Sequence, residues 1–463
     1  MIEKVELIDK PSEVVSDLIA KQIARIKRGQ RFIDYWDARE FGDELNELRN
    51  SILSFSEQNP GKAFELMYNF LDTHAKVLDR CDDSDGIVSG EYSQACHDLG
   101  EIGQRASLEY SKASDIVLKM LMNNPFSMYD GIIFDFKDIL KNEGLELLKN
   151  KLMSQLSEAQ IGKEVARKQS YHEKFNYFDK KKSAEKLSAE FRSEAIKEIS
   201  DTIRGGLAAI ADCRNDVEEY IKALIFPKTS YKYKDFPDWD KKEIAKRLLE
   251  QGRTEEALEW LNAVKIDYER DSSSEIIQLK IKVLELLNKP GEAQKERVLR
   301  FNATMDPEIF GEVIKNATDD FREKFKKDSI ERALTFPNIY VAMNFLAKCG
   351  FLKECSDFVQ EKIKIIQGGY HLIRRVAKAL APNYQLSALL LYRKSIDEIM
   401  NNAQRDHYSN AVNDLISCEK LDRYIDDYRG FQTHVQYYEI FCEKHKKKKK
   451  FWDIYNNKIK TIR

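Results

Sequence analysis

The sequence predicts an all-α protein built from stacked helical hairpins, an α-solenoid. Apolar residues recur three and four positions apart through most of the 463 residues, the spacing of one helix face. Charged residues make up 33% of the chain, with only 9 prolines and 19 glycines, a composition typical of helix-rich proteins. Val, Ile and Thr do not alternate over more than a few positions, so we expect little β-sheet.

The clearest hairpin covers residues 240–264, with a tight turn predicted at Gln251, Gly252 and Arg253. Asp240 followed by Glu243 indicates a helix start, because each side chain accepts a hydrogen bond from a free backbone N–H. The two apolar faces comprise Ile244, Ala245, Leu248 and Leu249, then Ala257, Leu258, Leu261 and Val264. One hairpin is too small to bury its apolar stripe alone, so it must stack on similar neighbours.

Residues 1–160 are predicted to form an N-terminal helical lobe, and residues 161–239 a charged connection and a long helix. Asn59 and Pro60 mark one helix start, since the N–H that proline lacks would be unpaired there anyway. The aromatic, highly charged segment 161–186 is predicted to be exposed. A bend is expected near Gly205 and Gly206. The predicted helices are 11–30, 31–56, one from Pro60 to the turn at 81–86, 90–106, 109–122, 131–141, 143–160 and 186–224.

Residues 240–443 are predicted to form a helical-repeat lobe, and residues 444–463 a basic tail. Ala293 stands 36 residues after Ala257 at an equivalent place behind a turn, KPGEA against RTEEA, which suggests a repeat. Asp306 and Pro307 start a further helix in the way that Asn59 and Pro60 do. The later predicted helices are 275–287 with 292–301, 339–348 with 352–365, 370–380 with 386–401, and 408–421.

The hairpin at 240–264 is similar to a tetratricopeptide unit when it is aligned on Ala257. It departs from that pattern at Lys241, where the family usually has Trp, and at Glu269, where the closing Pro is missing. A wider resemblance covers about residues 20–455 and relates the chain to a bacterial family catalogued as a domain of unknown function. Its motifs here are RGQRFIDYWDA, VLDRCDDSDG, ADCRNDVEEYIKAL, AKRLLEQGRTEEALEWL and EKHKKKKKFW. The resemblance implies an all-helical fold and supplies no activity.

Charge is spread unevenly along the chain, whose overall net charge is −2. Residues 1–160 hold 19 Lys and Arg against 29 Asp and Glu, and residues 444–463 hold 9 against 1. This pattern indicates an acidic lobe and a short basic tail, not a basic groove. The seven scattered cysteines form no C-x-x-C pair, and MIEKVELIDK has no apolar leader core, so we expect a cytoplasmic protein.

Asp82, Asp83 and Asp85 precede Gly86 and form the most distinctive local cluster of charge. Clustered carboxylates at a turn would hold Ca²⁺ or Mg²⁺ through their oxygens, or meet a basic partner. When an EF-hand loop is aligned on this glycine, its first and last ligand positions fall on Cys81 and Tyr92, which supply no carboxylate. The alternative is an interhelical turn in which Asp85 or Ser89 caps the next helix.

Two further segments are candidate contact surfaces. Residues 31–39, RFIDYWDAR, would line a ligand groove, or else pack their aromatic rings on the next helix and pair their charges. The tail would grip phosphates and stack Trp452 on a base, or would touch an anionic membrane surface. The alternative is a solvated helix face or a contact with the acidic N-terminal lobe. Its candidate residues are Lys446, Lys447, Lys448, Lys449, Lys450 and Trp452.

No G-x-S-x-G, phosphate-binding loop or zinc-ligand spacing occurs, so nothing proposes a catalytic residue or a cofactor. We therefore predict a binding or scaffold protein that holds a protein or peptide partner on a helical surface. The alternatives are a nucleic-acid-associated protein that uses the lysine tail and a metal-dependent enzyme at the Asp82–Asp85 turn.

Overall fold

A computed structural model describes residues 12–158, 161–166, 168, 184–227, 230, 232–270, 273–315 and 317–462. The predicted all-α class is confirmed, since the described residues form helices and one isolated β-bridge between Ile33 and Cys81. The chain divides into two compact units, with the boundary between Arg253 and Thr254. None of the helices in the described ranges is both long enough and apolar enough to cross a membrane. The exposed connection predicted at 161–186 lies mostly outside the described residues.

The first unit packs α1, α2, α3 and α5 against one another, and its later helices extend this arrangement. Its helices are α1 Ser12–Arg28, α2 Tyr35–Ser56, α3 Pro60–Leu71, α4 His74–Leu78, α5 Ile87–Arg105, α6 Tyr110–Met122, α7 Ile132–Asp135, α8 Lys137–Ser154, α9 Ala184–Cys213, α10 Val217–Ile225 and α11 Asp238–Glu250. The core that holds them is built on fully buried residues such as Leu45, Phe70 and Tyr92.

The second unit contains the clearest serial stacking. Its helices are α12 Thr254–Asn262, α13 Ser274–Leu286, α14 Pro290–Thr304, α15 Pro307–Lys315, α16 Asp319–Thr335, α17 Ile339–Lys348, α18 Leu352–Lys362, α19 Tyr370–Leu380, α20 Gln385–Asn401, α21 Tyr408–Asp422, α22 His434–His445 and α23 Lys449–Ile462. Helix α17 pairs with α18, and α19 with α20, while α17 also contacts α19 and α18 contacts α20. The predicted stacking of hairpins into an α-solenoid is therefore confirmed.

Several predicted boundaries are wrong, and each has a physical cause. Residues 31–34 are not helical, because Asp34 is the N-cap of α2 and its side chain accepts hydrogen bonds from two backbone N–H groups. Helix α9 continues without a break through Gly205 and Gly206 to Cys213. A Cβ at Gly206 would lie 2.7 Å from Leu152 Cδ1, which shows that this glycine permits close helix packing. The helices α16, α22 and α23 were not predicted.

Candidate functional site

Two segments that the sequence presents separately, residues 31–34 and 80–82, meet in the first unit. The Ile33 N–H donates to Arg80 O at 2.8 Å, and the Asp82 N–H donates to Ile33 O at 2.8 Å. These bonds form a short parallel bridge on which Ile33 is buried, while Phe32 and Asp34 on either side of it are exposed. The start of α2 is therefore fixed against the turn that precedes α5.

Arg80 ties this bridge to the helices around it. Its Nη1 donates to Arg31 O at 2.8 Å and its Nη2 to Ile26 O at 3.4 Å, at the end of α1. The guanidinium also lies 5.7 Å from the centroid of the Phe41 ring in α2, a cation–π distance. A Cβ at Gly29 would come within 2.6 Å of Arg80 Nη2, so glycine leaves room for this side chain.

Helices α2 and α5 begin side by side because small and charged residues fit between them. A Cβ at Gly42 would lie 2.6 Å from Ile87 Cγ2 in the first turn of α5. Further along, Arg49 pairs with Asp98 at 2.6 Å and with Glu91 at 3.1 Å. The close approach at Gly42 and the ion pairs of Arg49 together hold α2 and α5 against each other, so that the starts of both helices lie on the same face of the first unit.

Asp83 is the residue that caps α5. Its Oδ1 accepts a hydrogen bond from the Val88 N–H at 2.8 Å and its Oδ2 one from the Ser89 N–H at 2.9 Å. The expectation that Asp85 or Ser89 would cap this helix is therefore wrong. Gly86 has a φ of +68°, a left-handed conformation that only glycine adopts without cost, and it lets the chain turn into the helix.

The other two carboxylates of this cluster also have partners, one within the turn and one in α2. Asp82 Oδ1 accepts from the Ser84 hydroxyl at 2.5 Å, and Asp85 Oδ2 accepts from the Tyr35 hydroxyl at 2.8 Å. The Asp85 carboxylate raises the pKa of Tyr35, so this hydroxyl keeps its proton and donates it. The Tyr35–Asp85 bond thus joins the two segments a second time.

No cluster of three or more His, Cys, Asp or Glu suited to a metal ion occurs in the described ranges.

We expect Asp83→Ala to lower the free energy of unfolding by about 0.5–2 kcal/mol, because two backbone N–H groups lose their acceptor. Urea denaturation with and without EDTA measures this, and Asp79→Ala is the control because the exposed Asp79 adjoins the cluster. A loss that appears only in the presence of Ca²⁺ or Mg²⁺ would instead support the predicted metal site.

Large aromatic side chains stand exposed where the two segments meet. Trp36 is 83% exposed and Phe32 is 59% exposed. Tyr35 meets Trp36 edge to face, with ring centroids 5.2 Å apart. The alternative in which these rings pack on the next helix is therefore wrong for Trp36 and Phe32.

A groove of about 290 Å³ is lined by one of these rings, that of Phe32, while Tyr35 and Trp36 are not part of its lining. Two phenylalanines, three carboxylates and two arginines are prominent in its lining, which comprises Arg31, Phe32, Ile33, Asp37, Glu40, Phe41, Glu44 and Arg80. Arg31 is paired with Asp37 at 2.6 Å, and Arg80 is bonded to backbone carbonyls. Apolar rings and acidic groups are therefore both presented to a ligand.

Sequence reasoning missed the pairing of the two segments and hence this groove. One local signal was present: Asp34 is a preferred N-cap residue and is followed by Asp37 in the first turn. That signal places the helix start at Tyr35 and leaves residues 31–34 extended. Nothing local indicates that residues 80–82 are their partner.

The candidate lysines of the tail lie at the turn between α22 and α23. Lys446, Lys447, Lys449 and Lys450 are exposed, and Lys446 pairs with Glu443. Lys448 is half-buried, and its Nζ donates to Met400 O. The structure therefore brings four of the five lysines to solvent and turns the fifth inward.

Trp452, the proposed stacking residue, lies in an aromatic cluster of the second unit. Its Nε1 donates to His445 O at 3.0 Å, and its ring centroid is 5.1 Å from that of Phe451 and 5.6 Å from that of Tyr455. Phe451 is fully buried. The tail is thus a packed helix whose apolar side belongs to the core.

The fold is that of an all-helical protein with stacked helix pairs, and its first unit carries an exposed groove. The chain belongs to a family described as "Family of unknown function (DUF6880)", which matches residues 6–454. This confirms the resemblance to an uncharacterised helical family. No curated protein matches the chain.

Two solved structures show distant likeness, each at 12% sequence identity. One, "Structure of Naa15/Naa10 bound to HypK-THB", is matched over 89% of this chain and 63% of that chain, with a TM-score of 0.27. The present chain therefore spans less than two thirds of that protein's length. The other is a "Circular tandem repeat protein with novel repeat topology and enhanced subunit contact surfaces", matched over 98% of both chains with a TM-score of 0.19. These scores are too low to assign a common fold.

Proposed function

We propose that this protein is a cytoplasmic binding or scaffold protein, and that it holds a peptide segment of a protein partner at the groove of the first unit. The observation that carries the proposal is the 83% exposure of Trp36, which is not itself in the groove lining but lies one helical turn before the lining residue Glu40. A tryptophan so placed forfeits most of the burial that stabilises aromatic side chains in a monomer. Tryptophan and tyrosine are also the residues that most often dominate binding energy at protein interfaces.

The chemistry of the groove selects a basic segment that also carries apolar side chains. Asp37, Glu40 and Glu44 lie along one side of α2, and Phe32 and Phe41 provide the apolar surface. The excess of ten acidic over basic residues in 1–160 adds a long-range attraction for a cationic partner. Complementary charge of this kind sets the selectivity and the association rate, while the aromatic contacts supply most of the affinity.

The test begins with a photo-reactive amino acid incorporated in place of Trp36 in the native cell. A partner cross-linked there, and not from the same amino acid in place of Tyr424, is identified and its binding to the purified full chain is measured. Tyr424 is 72% exposed and lies in the second unit, so it is a matched aromatic control.

We expect Trp36→Ala to weaken that binding by at least about thirtyfold, corresponding to a loss of about 2 kcal/mol or more, and Tyr424→Ala to leave it unchanged. Raising the salt concentration should slow association, because the attraction between the acidic groove and a basic segment is screened. Equal affinities for wild type and Trp36→Ala would refute the assignment of the groove.

A parallel binding experiment with DNA and RNA tests the alternative function, in which nucleic acid binds the lysine tail. Deletion of residues 444–463 is a poor variant, because it removes Phe451 and Tyr455 from the core. Replacement of the four exposed lysines by glutamine leaves the apolar side of α23 in place. Binding to DNA or RNA with a steep salt dependence, lost in this variant but kept in Trp36→Ala, would favour the alternative.

A further inference from the structure

A second cleft lies in the second unit, remote in sequence from the groove described above. It has a volume of about 230 Å³ and lies among the ends of α13, α14, α15 and α17. This is smaller than the ~300–1,000 Å³ typical of sites for drug-sized ligands. The cleft therefore suits a small molecule or a single residue of a chain.

Arg300 supplies the cationic side of this cleft. Its Nη2 donates to Ser274 Oγ at 2.7 Å. No carboxylate within the described part of the chain forms an ion pair with Arg300, whereas Arg297, one turn earlier, pairs with Glu285. The side chain is half-buried, so its remaining N–H donors face a partly desolvated space. A planar guanidinium in this setting matches the two oxygens of a carboxylate.

Asn344 and Asp306 both line this cleft, and each carries an acceptor oxygen in its side chain. Asn344 Oδ1 is buried and has no hydrogen-bond partner among the described residues. Asp306 lines the cleft while its Oδ1 accepts from the Glu308 N–H at 2.7 Å, which caps α15. A buried carbonyl oxygen without a donor destabilises the free protein, so a ligand N–H that reaches Asn344 would relieve that cost.

The rest of the lining is mixed: Tyr268, Arg270 and Thr304 are polar, and Arg270 is paired with Asp267 at 3.1 Å, whereas the remaining residues are apolar. Ile277, Met305 and Ile309 are almost fully buried and form its floor, and Val341 contributes to its side. Met305 adopts a φ of +52° at the end of α14, and this turn leads directly into Asp306 and Pro307. The cleft thus combines Arg300, the already paired Arg270, residues with acceptor oxygens and an apolar part of limited size.

We propose that this cleft binds an α-amino acid unit with a free carboxylate and an aliphatic side chain, either as a free amino acid or as the last residue of a peptide. The carboxylate pairs with Arg300, the α-nitrogen donates to Asn344 Oδ1, and the side chain packs on Ile277 and Ile309. A free amino acid adds an ammonium group, which the Asp306 carboxylate favours. A peptide terminus has an amide N–H in its place and does not need Asp306.

The experiment is calorimetric titration of the full chain with L-leucine, N-acetyl-L-leucine and L-leucinamide. Leucinamide keeps the side chain and the nitrogen but lacks the carboxylate. We expect it to bind at least about tenfold more weakly than the better of the other two, because a charge-assisted pair with Arg300 is lost. A preference for leucine indicates a free amino acid as the natural ligand, and a preference for N-acetyl-leucine indicates a peptide terminus.

Variants then assign the site. Arg300→Gln should weaken binding of the better ligand by about tenfold or more, whereas Arg332→Gln, an exposed arginine of α16, should not change it. Val341→Phe tests the location without touching Arg300, since the larger ring fills the cleft from its side and should abolish binding.

The proposal is independent of the groove in the first unit, and Trp36→Ala should leave leucine binding unchanged. It is overturned if leucinamide binds as well as leucine and N-acetyl-leucine, or if none of the three binds at millimolar concentration. Binding that survives in both Arg300→Gln and Val341→Phe would place the ligand elsewhere and overturn it as well.

Discussion

Arg49→Met is expected to lower the free energy of unfolding of the first unit by about 3–5 kcal/mol. Arg49 and Asp98 are both buried, with side chains 12% and 5% exposed, and their closest atoms are 2.6 Å apart. Removal of the guanidinium leaves the Asp98 carboxylate desolvated without a cation. Because this pair joins α2 to α5, the same change should loosen the surface that carries Trp36.

Urea denaturation measures this loss, and hydrogen exchange read peptide by peptide assigns the transition to α2 and α5. Lys62→Met is the matched control, since its partner Glu65 is 63% exposed and an exposed pair contributes only about 0–1 kcal/mol. The double variant Arg49→Met with Asp98→Leu should recover most of the stability, because replacing both charges by apolar groups is often neutral. If the single variant matched the Lys62 control, the buried pair would not be the link between the helices.

Gly100→Ala should also destabilise the first unit, by about 1–3 kcal/mol. A Cβ at Gly100 would lie 2.2 Å from the backbone O and 2.9 Å from the backbone C of Asp135. These are main-chain atoms of α7, so α5 and α7 must move apart to admit a methyl group. Thermal unfolding and the hydrogen exchange of α7 amides measure the effect.

Gly90→Ala provides the control in the same helix. Gly90 has no neighbouring atom within 4 Å of an added Cβ. Alanine there should stabilise α5 by about 0.5–1 kcal/mol, because glycine is the poorer helix former. A destabilising Gly90→Ala, or a neutral Gly100→Ala, would contradict the argument from close packing.

The sequence predicted the helices best where apolar spacing and end signals agree. In the second unit, α17 and α19–α21 begin and end within a residue or so of their predicted limits. Apolar residues recur on one face of each helix there. Asn338 immediately precedes α17, and Gly369 immediately precedes α19. Helix α16 was missed because its charged residues surround the whole helix and only Phe325, Ser329 and Ala333 are buried.

The groove of the first unit was predicted only in part. Residues 31–39 were recognised as a candidate ligand groove, and Asp82, Asp83 and Asp85 as a possible contact with a basic partner. Their meeting was not predicted, because it depends on backbone bonds between Ile33, Arg80 and Asp82, and backbone groups are alike at every position. Nor does a sequence show that Trp36 stays exposed while Trp452 joins a core.

By itself, the sequence determined which segments are helical and that their apolar faces require neighbours, because helix periodicity and capping are local properties. Tertiary structure alone decided which helix starts lie side by side, which arginines find carboxylates and which, like Arg300, find none among the described residues. Those outcomes depend on distances between residues far apart in the chain. The residues of each proposed binding site are therefore brought together by tertiary packing, which the sequence alone does not show.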